Sequence, residues 1–518
     1  MLQFDKTFPT LDCAACIGTP KMVEVAQNPN ITLYSYSEVK EVSGFIGNYT
    51  VTVRRHPRYV KEGICTGCGE CAKACPVSVP NDWDVGIGTR QAIGRAFPQA
   101  IPITFDIVKK DRAPCIAACP AGINVQGYVQ LVGQGKYREA VRLIMERLPL
   151  PGVLGRVCPH PCESRCRRAE VDSPVAIRNL KRFAADHVDL ESLPLPTIVE
   201  RQQRVAVIGS GPAGLTVAYY LRLRGYAVRI YEALDRLGGM LRVGIPDYRL
   251  PPEVLDREIG YLLKTGIEVR TGQRLGRDFS LESLQAEGFD AVLLAIGAHL
   301  GLAAGIAGES DAEGVRNAVD WLRQVNLGDR TCPGRRTVVI GGGNVAVDAA
   351  RVARRLGSDS VTIVYRSTRQ EMPAYPEKIE DALTEGIDIR FLTVPTRVMV
   401  RDGAVTGIEC IRTELGPPDD SGRRRPVPVA GSEFVIDCDA VIPAIGQRID
   451  LTGAGGPEGL KTTPRGSLAV NPHTQQTSLP WVFAAGDAVS GPATVIEAVA
   501  AGHRAVEAID RFLQAQDL

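Results

Sequence analysis

Two stretches of this chain repeat one pattern: an apolar strand, a glycine turn, a helical segment and a second apolar strand. One is Val205–Glu232 and the other is Thr337–Arg366. Glycines at such a junction let strand and helix pack closely and let a ligand approach the backbone, so each stretch reads as the start of a Rossmann-like α/β fold. Two such folds in one polypeptide suggest two nucleotides bound face to face.

In the first stretch, Val205-Ala-Val-Ile-Gly209-Ser-Gly211-Pro212-Ala213-Gly214 is a strand entering a GxGxxG turn. Gly209 permits the tight turn, Gly211 the approach of a pyrophosphate, and Gly214 close helix–strand packing. The pyrophosphate would rest on the N-terminus of the helix Leu215–Arg224, where free N–H groups favour an anion. The second strand, Ala227–Tyr231, ends at Glu232, 23 residues after Gly209 and placed to accept from ribose hydroxyls. Val482-Phe-Ala-Ala-Gly486-Asp487, before the helical run Thr494–Leu513, resembles the motif by which FAD-binding reductases hold the ribityl or pyrophosphate region. The alternative for Asp487 is a helix N-cap. Together the two segments point to FAD held from both ends of the chain, with Gly238-Gly239-Met240 continuing its pocket.

The second stretch, Val338-Val-Ile-Gly341-Gly-Gly343-Asn344-Val-Ala346, is a GxGxxA turn followed by a helix, Val347–Leu356, and a strand, Val361–Tyr365. No acid ends this strand. Arg366 stands there, with Arg369 close by, and arginine pairs with a 2′-phosphate that a carboxylate would repel. NADP(H) is therefore favoured over NAD(H), the alternative being that Arg366 is a solvated loop cation.

Cysteine usage is uneven. Eleven of the 14 cysteines lie before residue 167. Cys65-x2-Cys68-x2-Cys71-x3-Cys75-Pro is the ferredoxin-type 4Fe–4S run, in which the fourth cysteine can serve another cluster. Cys115-x3-Cys119-Pro and Cys158-x3-Cys162-x3-Cys166 form a second group, and Cys13 with Cys16 a third. Clustered cysteines in a chain with no secretory leader read as metal ligands rather than disulfides. The count allows two clusters with thiols left over, or three with one non-cysteine ligand. Cys332, Cys410 and Cys438 have no cysteine neighbour and read as structural thiols. His160, between cluster cysteines, is expected to pack or hydrogen-bond rather than ligate iron.

Lys plus Arg total 60 against 59 Asp plus Glu, a net charge of +1 that gives no reason to expect nucleic acid or an anionic membrane surface as partner. No apolar stretch is long enough to span a bilayer, so a cytoplasmic location is expected. The expected organisation is a small ferredoxin-like module (1–110), a helical iron–sulfur domain (111–197), and two Rossmann-like nucleotide-binding domains. These are an FAD-binding domain in two parts (198–328 and 447–518) and an NAD(P)-binding domain (329–446) between them. Apolar residues at helical spacing over Gly127–Leu148 predict a helix there, and Thr50–Val53 a short strand.

From Cys115 to the C-terminus the chain resembles the small subunit of bacterial glutamate synthase and its relatives. These include the large subunit of electron-bifurcating ferredoxin:NADP oxidoreductase and the N-terminal half of dihydropyrimidine dehydrogenase. The resemblance rests on Cys119-Pro-Ala-Gly-Ile-Asn, Gly155-Arg-Val-Cys158-Pro-His-Pro-Cys162-Glu, Val175-Ala-Ile-Arg, Gly238-Gly-Met-Leu-Arg-Val-Gly-Ile-Pro-Asp-Tyr-Arg-Leu-Pro251 and Glu371-Met-Pro-Ala374. It implies a flavin disulfide reductase-type fold, a helical domain holding two 4Fe–4S clusters beside FAD, and hydride transfer from NADPH to flavin. The chain departs from that family in three places. Asp106–Pro114 lacks two further cysteines, Lys181 matches the family's Gln or Glu ligand, and Ser367 follows Arg366 where relatives commonly carry a second arginine.

Residues before about 105 resemble part of the flavin subunit of heterodisulfide reductase, through Thr10-Leu-Asp-Cys13-Ala-Ala-Cys16-Ile-Gly-Thr-Pro-Lys-Met, Tyr36-Ser-Glu-Val, Arg58-Tyr-Val and Ala96-Phe-Pro-Gln-Ala-Ile-Pro. This module is expected to supply thiols that the helical domain lacks, with Cys13, Cys16 and Cys75 as candidates. The resemblances imply an NAD(P)H-dependent FAD iron–sulfur oxidoreductase. It would act as an electron-transfer subunit of a hetero-oligomer, within a complex of the 2-oxoacid:ferredoxin type. A self-contained NAD(P)H:ferredoxin reductase and a glutamate synthase small subunit are the alternatives. A thioredoxin-reductase-type enzyme would need a Cys-x-x-Cys in the C-terminal two-thirds, and none is there.

Overall fold

The computed structural model describes residues 14–81, 87–95, 100–108, 112–310, 312–418, 424–451 and 459–515. Cys13 lies outside them. Contacts divide the chain into two units, Met1–Pro114 with Arg165–Val175, and Cys115–Ser164 with Ala176–Leu518.

In the first unit, Ser37–Phe45 pairs antiparallel with Asn48–Arg55 through the turn at Ile46–Gly47, placing Val42 opposite Val51. The expected strand Thr50–Val53 lies inside this hairpin. Two shorter antiparallel pairs, Ser78–Pro80 with Thr89–Gln91 and Ile93–Gly94 with Asp106–Ile107, follow the ferredoxin-type run. That run turns sharply: Gly67 and Gly69 have φ of 69° and 88°, a left-handed backbone that glycine adopts without strain. A Cβ on Gly67 would lie 2.7 Å from the Ile103 carbonyl oxygen.

In the second unit, the predicted helix over Gly127–Leu148 is two helices, Val125–Gly133 and Tyr137–Met145. Gly135, with φ of 72°, breaks the run in the left-handed conformation that ends helices. The Asn124 side chain accepts from Gly127 N at 3.0 Å and caps the first of them. Tyr128, Val141 and Ile144 from this pair are buried.

The α/β part holds two parallel sheets. The first has strand order Val482–Ala484, Ala291–Leu294, Arg204–Ile208, Ala227–Tyr231, Glu268–Arg270. The second has order Asp388–Arg390, Ser360–Val364, Arg336–Ile340, Ala440–Pro443. The inner strands Arg204–Ile208, Ala291–Leu294 and Arg336–Ile340 are buried on both faces, which is why they read as near-continuous apolar runs rather than alternating ones. The glycine-turn helices are Pro212–Leu223 and Asn344–Arg355, each starting three residues before its predicted bound because the turn itself enters the helix. An antiparallel sheet of Thr393–Arg401, Ala404–Pro418, Arg424–Pro428 and Phe434–Asp437 extends the second fold. Leu300–Gly301 and Gln447–Arg448 pair as the two chain crossings between the folds.

One buried carboxylate joins the helical segment to the flavin-side fold. Glu258, on the helix Pro252–Leu263, accepts from Gly152 N and from Val153 N (2.9 Å), the free N–H groups at the start of the helix Pro151–Val157. Burial pushes its carboxyl from 4.5 up to about 7, against the pull of the two N–H groups. The folded chain therefore holds a proton that the unfolded chain releases between pH 4.5 and 7. This contribution to stability is complete below that window and lost as pH rises through it. Glu258→Gln is expected to flatten the fall of the unfolding midpoint across that range, measured by calorimetry at a series of pH values. An unchanged slope would assign the proton elsewhere.

Candidate functional site

The first glycine turn packs as its sequence demands. Gly209 has φ of 101°, and a Cβ there would lie 2.4 Å from the Ala295 carbonyl oxygen. A Cβ on Gly214 would lie 1.9 Å from the Gly209 carbonyl oxygen, so only glycine lets helix and strand meet. Nothing lies within 4 Å of the Cβ position of Gly211, which leaves the face a pyrophosphate needs.

This turn opens on a cavity of about 440 Å³. Gly209, Gly211, Pro212, Ala213, Glu232, Gly239, Gly486 and Asp487 all line it; Gly214 packs behind it. The structure thus gathers Gly486 and Asp487, from far along the chain, beside Ala213. A Cβ on Gly486, where φ is 70°, would lie 2.8 Å from the Ala213 Cβ. Asp487 is the first residue of the short helix Asp487–Ser490, and Gly486 is its N-cap. Burial pushes the Asp487 carboxyl up to about 7. The Glu232 carboxylate accepts from Ser210 N (3.0 Å), Ser210 Oγ and Leu234 N (2.9 Å). The turn residues thereby fix its orientation, and Oε1, which accepts only from Leu234 N among these, keeps capacity for a further donor.

The same cavity reaches the second fold through Asn344, Val345 and Asp348. Gly341 (φ 139°) meets the Ala444 carbonyl, Ala346 is buried, and Gly343 has open space at its Cβ position as Gly211 does. Arg366 is exposed just past its strand, and its side chain makes no hydrogen bond or ion pair with the described residues. Arg369 is paired with Glu380. The Arg366 and Arg369 side chains do not line the cavity, so the structure separates them from the flavin end of the site.

Sequence reasoning missed a buried charge cluster at the cavity wall. Asp348 accepts from Arg249 Nη1 at 2.5 Å and from Lys378 Nζ at 3.1 Å. Burial lowers the Lys378 ammonium to about 8, although Asp348 pulls the other way. Asp348 sits one helical turn beyond Asn344, a spacing that could have flagged it. His299 also lines the cavity, and Arg323 Nη2 donates to its carbonyl at 2.9 Å. Burial, with the Arg323 and Arg274 charges, holds its imidazole down to about 4, so it is neutral at physiological pH.

The thiols of the helical segment share one neighbourhood. Cys158 and Cys162 are buried, and Cys115 and Cys119 half-buried. Tyr128 lies within electrostatic reach of all four, and its phenol is pushed up, chiefly by burial. Burial, and next the Cys158 thiol, push Cys162 up to about 12, while the buried Lys181 opposes this. Among the described residues no three His, Cys, Asp or Glu side chains converge tightly enough to hold a single ion. The donor set suits a cube whose thiolates bind separate irons better than a zinc site. Cys166 groups with the first unit, as do Cys65, Cys68, Cys71, Cys75 and the exposed Cys16. His160 Nδ1 pairs with Glu163 Oε2 at 3.1 Å, the packing role expected of it. Cys410 and Cys438 are buried in the apolar core of the second fold, and Cys332 donates to the Gly334 carbonyl, as structural thiols do.

Residues 199–502 match the pyridine nucleotide-disulphide oxidoreductase family. Residues 108–192 match dihydropyrimidine dehydrogenase domain II with its 4Fe-4S cluster, and residues 58–80 match the 4Fe-4S binding domain. The chain is 45% identical over 429 residues to the beta subunit of NADP(+)-dependent formate dehydrogenase from Moorella thermoacetica, covering 78% of this chain and 60% of that one. It is 42% identical over 434 residues to the beta subunit of NADPH-Fe(3+) oxidoreductase from Geobacter sulfurreducens, covering 79% and 64%. With the glutamate synthase [NADPH] small chain of Escherichia coli it shares 33% identity, covering 77% and 88%. The chain thus spans under two-thirds of the length of the first two relatives. Mycobacterium tuberculosis FprA in complex with NADPH shares the fold, with a TM-score of 0.53 at 20% identity over 61% of this chain and 86% of that one.

The second and third positions of the glycine turns make opposite demands on a methyl group. Gly214→Ala is expected to destabilise the chain by about 1–3 kcal/mol through overpacking and to abolish flavin retention. Gly343→Ala, with open space at its Cβ, is expected to fold normally and weaken only the second nucleotide. Flavin absorbance per chain and calorimetric unfolding midpoints check both.

Proposed function

The chain belongs to the pyridine nucleotide-disulphide oxidoreductase family, and from that premise we propose that it is an electron-transfer subunit. It moves electrons between NADP(H) and a partner redox enzyme through FAD and 4Fe–4S clusters. The observation that carries this reading is the single cavity lined by both glycine-turn folds and closed by Gly486 and Asp487.

Within it, Gly209, Gly211, Pro212 and Ala213 hold the FAD pyrophosphate on the start of the Pro212–Leu223 helix, and Glu232 takes the ribose. Asp487 and Gly239 close on the rest of the flavin. Bound there, FAD supplies the conversion of a hydride pair into single electrons that clusters accept. Gly341, Gly343, Asn344 and Ala346 cradle the second dinucleotide, and Arg366 takes its 2′-phosphate, with Arg369 released from Glu380 as a second cation. Asp348, Arg249 and Lys378 carry a net positive charge to the cavity wall and favour anionic groups there. Cys65, Cys68, Cys71 and Cys75 hold one cluster; Cys115, Cys119, Cys158 and Cys162 are the thiols for another.

The proposed partner is a ferredoxin-linked oxidoreductase, the class that includes 2-oxoacid:ferredoxin enzymes. Formate and ferric-iron oxidoreductases, named for the relatives, are the alternatives that copurification separates. Among the described residues no helix is long and apolar enough to cross a membrane.

Anaerobic titration with NADPH, and separately with NADH, tests the reading. Joint bleaching of flavin and cluster absorption is expected with NADPH; bleaching by neither nucleotide would reduce the chain to a relay or scaffold. Arg366→Ala is expected to raise the NADPH KM about tenfold at unchanged kcat, the signature of lost uniform binding, and to leave NADH use unaltered. Iron analysis separates ligands from structural thiols. Cys68→Ser and Cys162→Ser are expected to lose iron, and Cys410→Ser to keep it. Unchanged iron after joint substitution of Cys13 and Cys16 by serine would remove those two from the ligand set.

A further inference from the structure

The segment Ala374–Glu377, which leads into the helix Pro376–Thr384, bonds to the second glycine turn at one end and to the cysteine-bearing segment at the other. At its start, Ala374 N donates to the Gly342 carbonyl at 3.0 Å, and Tyr375 N donates to the Asn344 side-chain oxygen at 3.2 Å. These two bonds fasten the segment to the residues that would cradle a dinucleotide.

One turn further, Glu377 receives both arms of the Arg178 guanidinium, Nη1 to Oε1 at 2.8 Å and Nη2 to Oε2 at 3.1 Å. Such a bidentate pair fixes direction as well as distance. Arg178 is only 18% exposed, and it belongs to the helix Ile177–Asp186 of the cysteine-bearing segment. Its backbone N–H donates to Glu163 Oε1 at 2.8 Å, and Nη1 also reaches the Cys158 carbonyl at 3.5 Å. Glu163 in turn holds His160, which lies between Cys158 and Cys162 in a left-handed conformation (φ 45°). The Tyr375 phenol lies within electrostatic reach of Cys158 on one side and of Arg249 and Asn344, both on the cavity wall, on the other. Lys378, next to Glu377, is the residue that grips Asp348 on the helix of the second turn.

We propose that Arg178 and Glu377 are positioning residues that couple occupancy of the second dinucleotide site to the geometry of the Cys158–Cys162 loop. The inference rests on the function proposed above. A nucleotide that settles on the Gly341–Ala346 turn displaces or stiffens the segment Ala374–Lys378, and the bidentate pair transmits that change to the backbone carrying two cluster thiols. The coupling is reciprocal: if nucleotide binding shifts the cluster, cluster reduction shifts nucleotide affinity by the same factor.

The experiment measures the dissociation constant of 1,4,5,6-tetrahydro-NADP, a redox-inert analogue of the nucleotide, by calorimetry on the oxidised and the dithionite-reduced holoprotein. The cluster midpoint potential is measured with and without this analogue by EPR-monitored titration. Wild-type protein is expected to show about a fivefold or greater difference in affinity between the two redox states, with a matching potential shift. Glu377→Arg and Arg178→Glu are each expected to abolish it at unchanged flavin and iron content, and the double exchange to restore it. Glu377→Gln, which keeps the shape of the side chain and removes its charge, is expected to diminish it, and serves should Arg178→Glu fail to retain iron. A wild-type protein that binds the tetrahydro analogue equally in both states, or a Glu377→Arg variant that keeps the full difference, would overturn the proposal. Absence of binding of both the analogue and NADP+ to the oxidised wild-type protein would overturn the function from which it starts.

Discussion

The close approach of helix and strand at the first glycine turn is the constraint on which the rest of this molecule depends. A Cβ at Gly214 would sit 1.9 Å from a backbone oxygen, so the helix Pro212–Leu223 lies directly against the end of its strand. That contact aims the helix N-terminus into the cavity. The Gly486–Asp487 segment then docks against Ala213, and the strand Val482–Ala484 joins the sheet at its edge. The second fold reproduces the arrangement with alanine in the third position, and Gly343 has the same open space at its Cβ position that Gly211 has.

Charge is used sparingly and in pairs where the segments join. Glu258 satisfies the free N–H groups of one helix from within another, and Asp348 collects two cations at the cavity wall. Arg178 and Glu377 meet at the edge of the cysteine loop. A buried charge without a partner is costly, and hydrogen bonds at each of these junctions offset part of the desolvation. The junctions are therefore directional, which apolar packing alone does not ensure.

Most of the α/β half was legible because its signals are local. The turns, the strands and Glu232 lie within windows of about thirty residues. Gly486 and Asp487 were readable through motif resemblance, and their meeting with Ala213 follows from sheet order. What escaped the sequence was non-local or ambiguous in period. The apolar spacing of Gly127–Leu148 runs in phase across two helices, so only the left-handed Gly135 betrays the break. Arg249, Asp348 and Lys378 look like ordinary surface charges until three separate elements bring them together. The cysteine groups announced iron without saying which thiols share a cluster, because that depends on how loops far apart in sequence are folded.

The sheet order Val482–Ala484 beside Ala291–Leu294 beside Arg204–Ile208 has a consequence for the birth of the protein. On the ribosome, the first glycine turn emerges long before the strand that completes its cavity. At roughly 5–20 residues per second, the interval lasts on the order of tens of seconds. During that time the second nucleotide fold, whose strands all lie between Arg336 and Pro443, can assemble around its own core while the flavin cavity still lacks a wall. The flavin cavity of this chain is thereby complete only once the strand Val482–Ala484 has emerged, well after the turn that opens it.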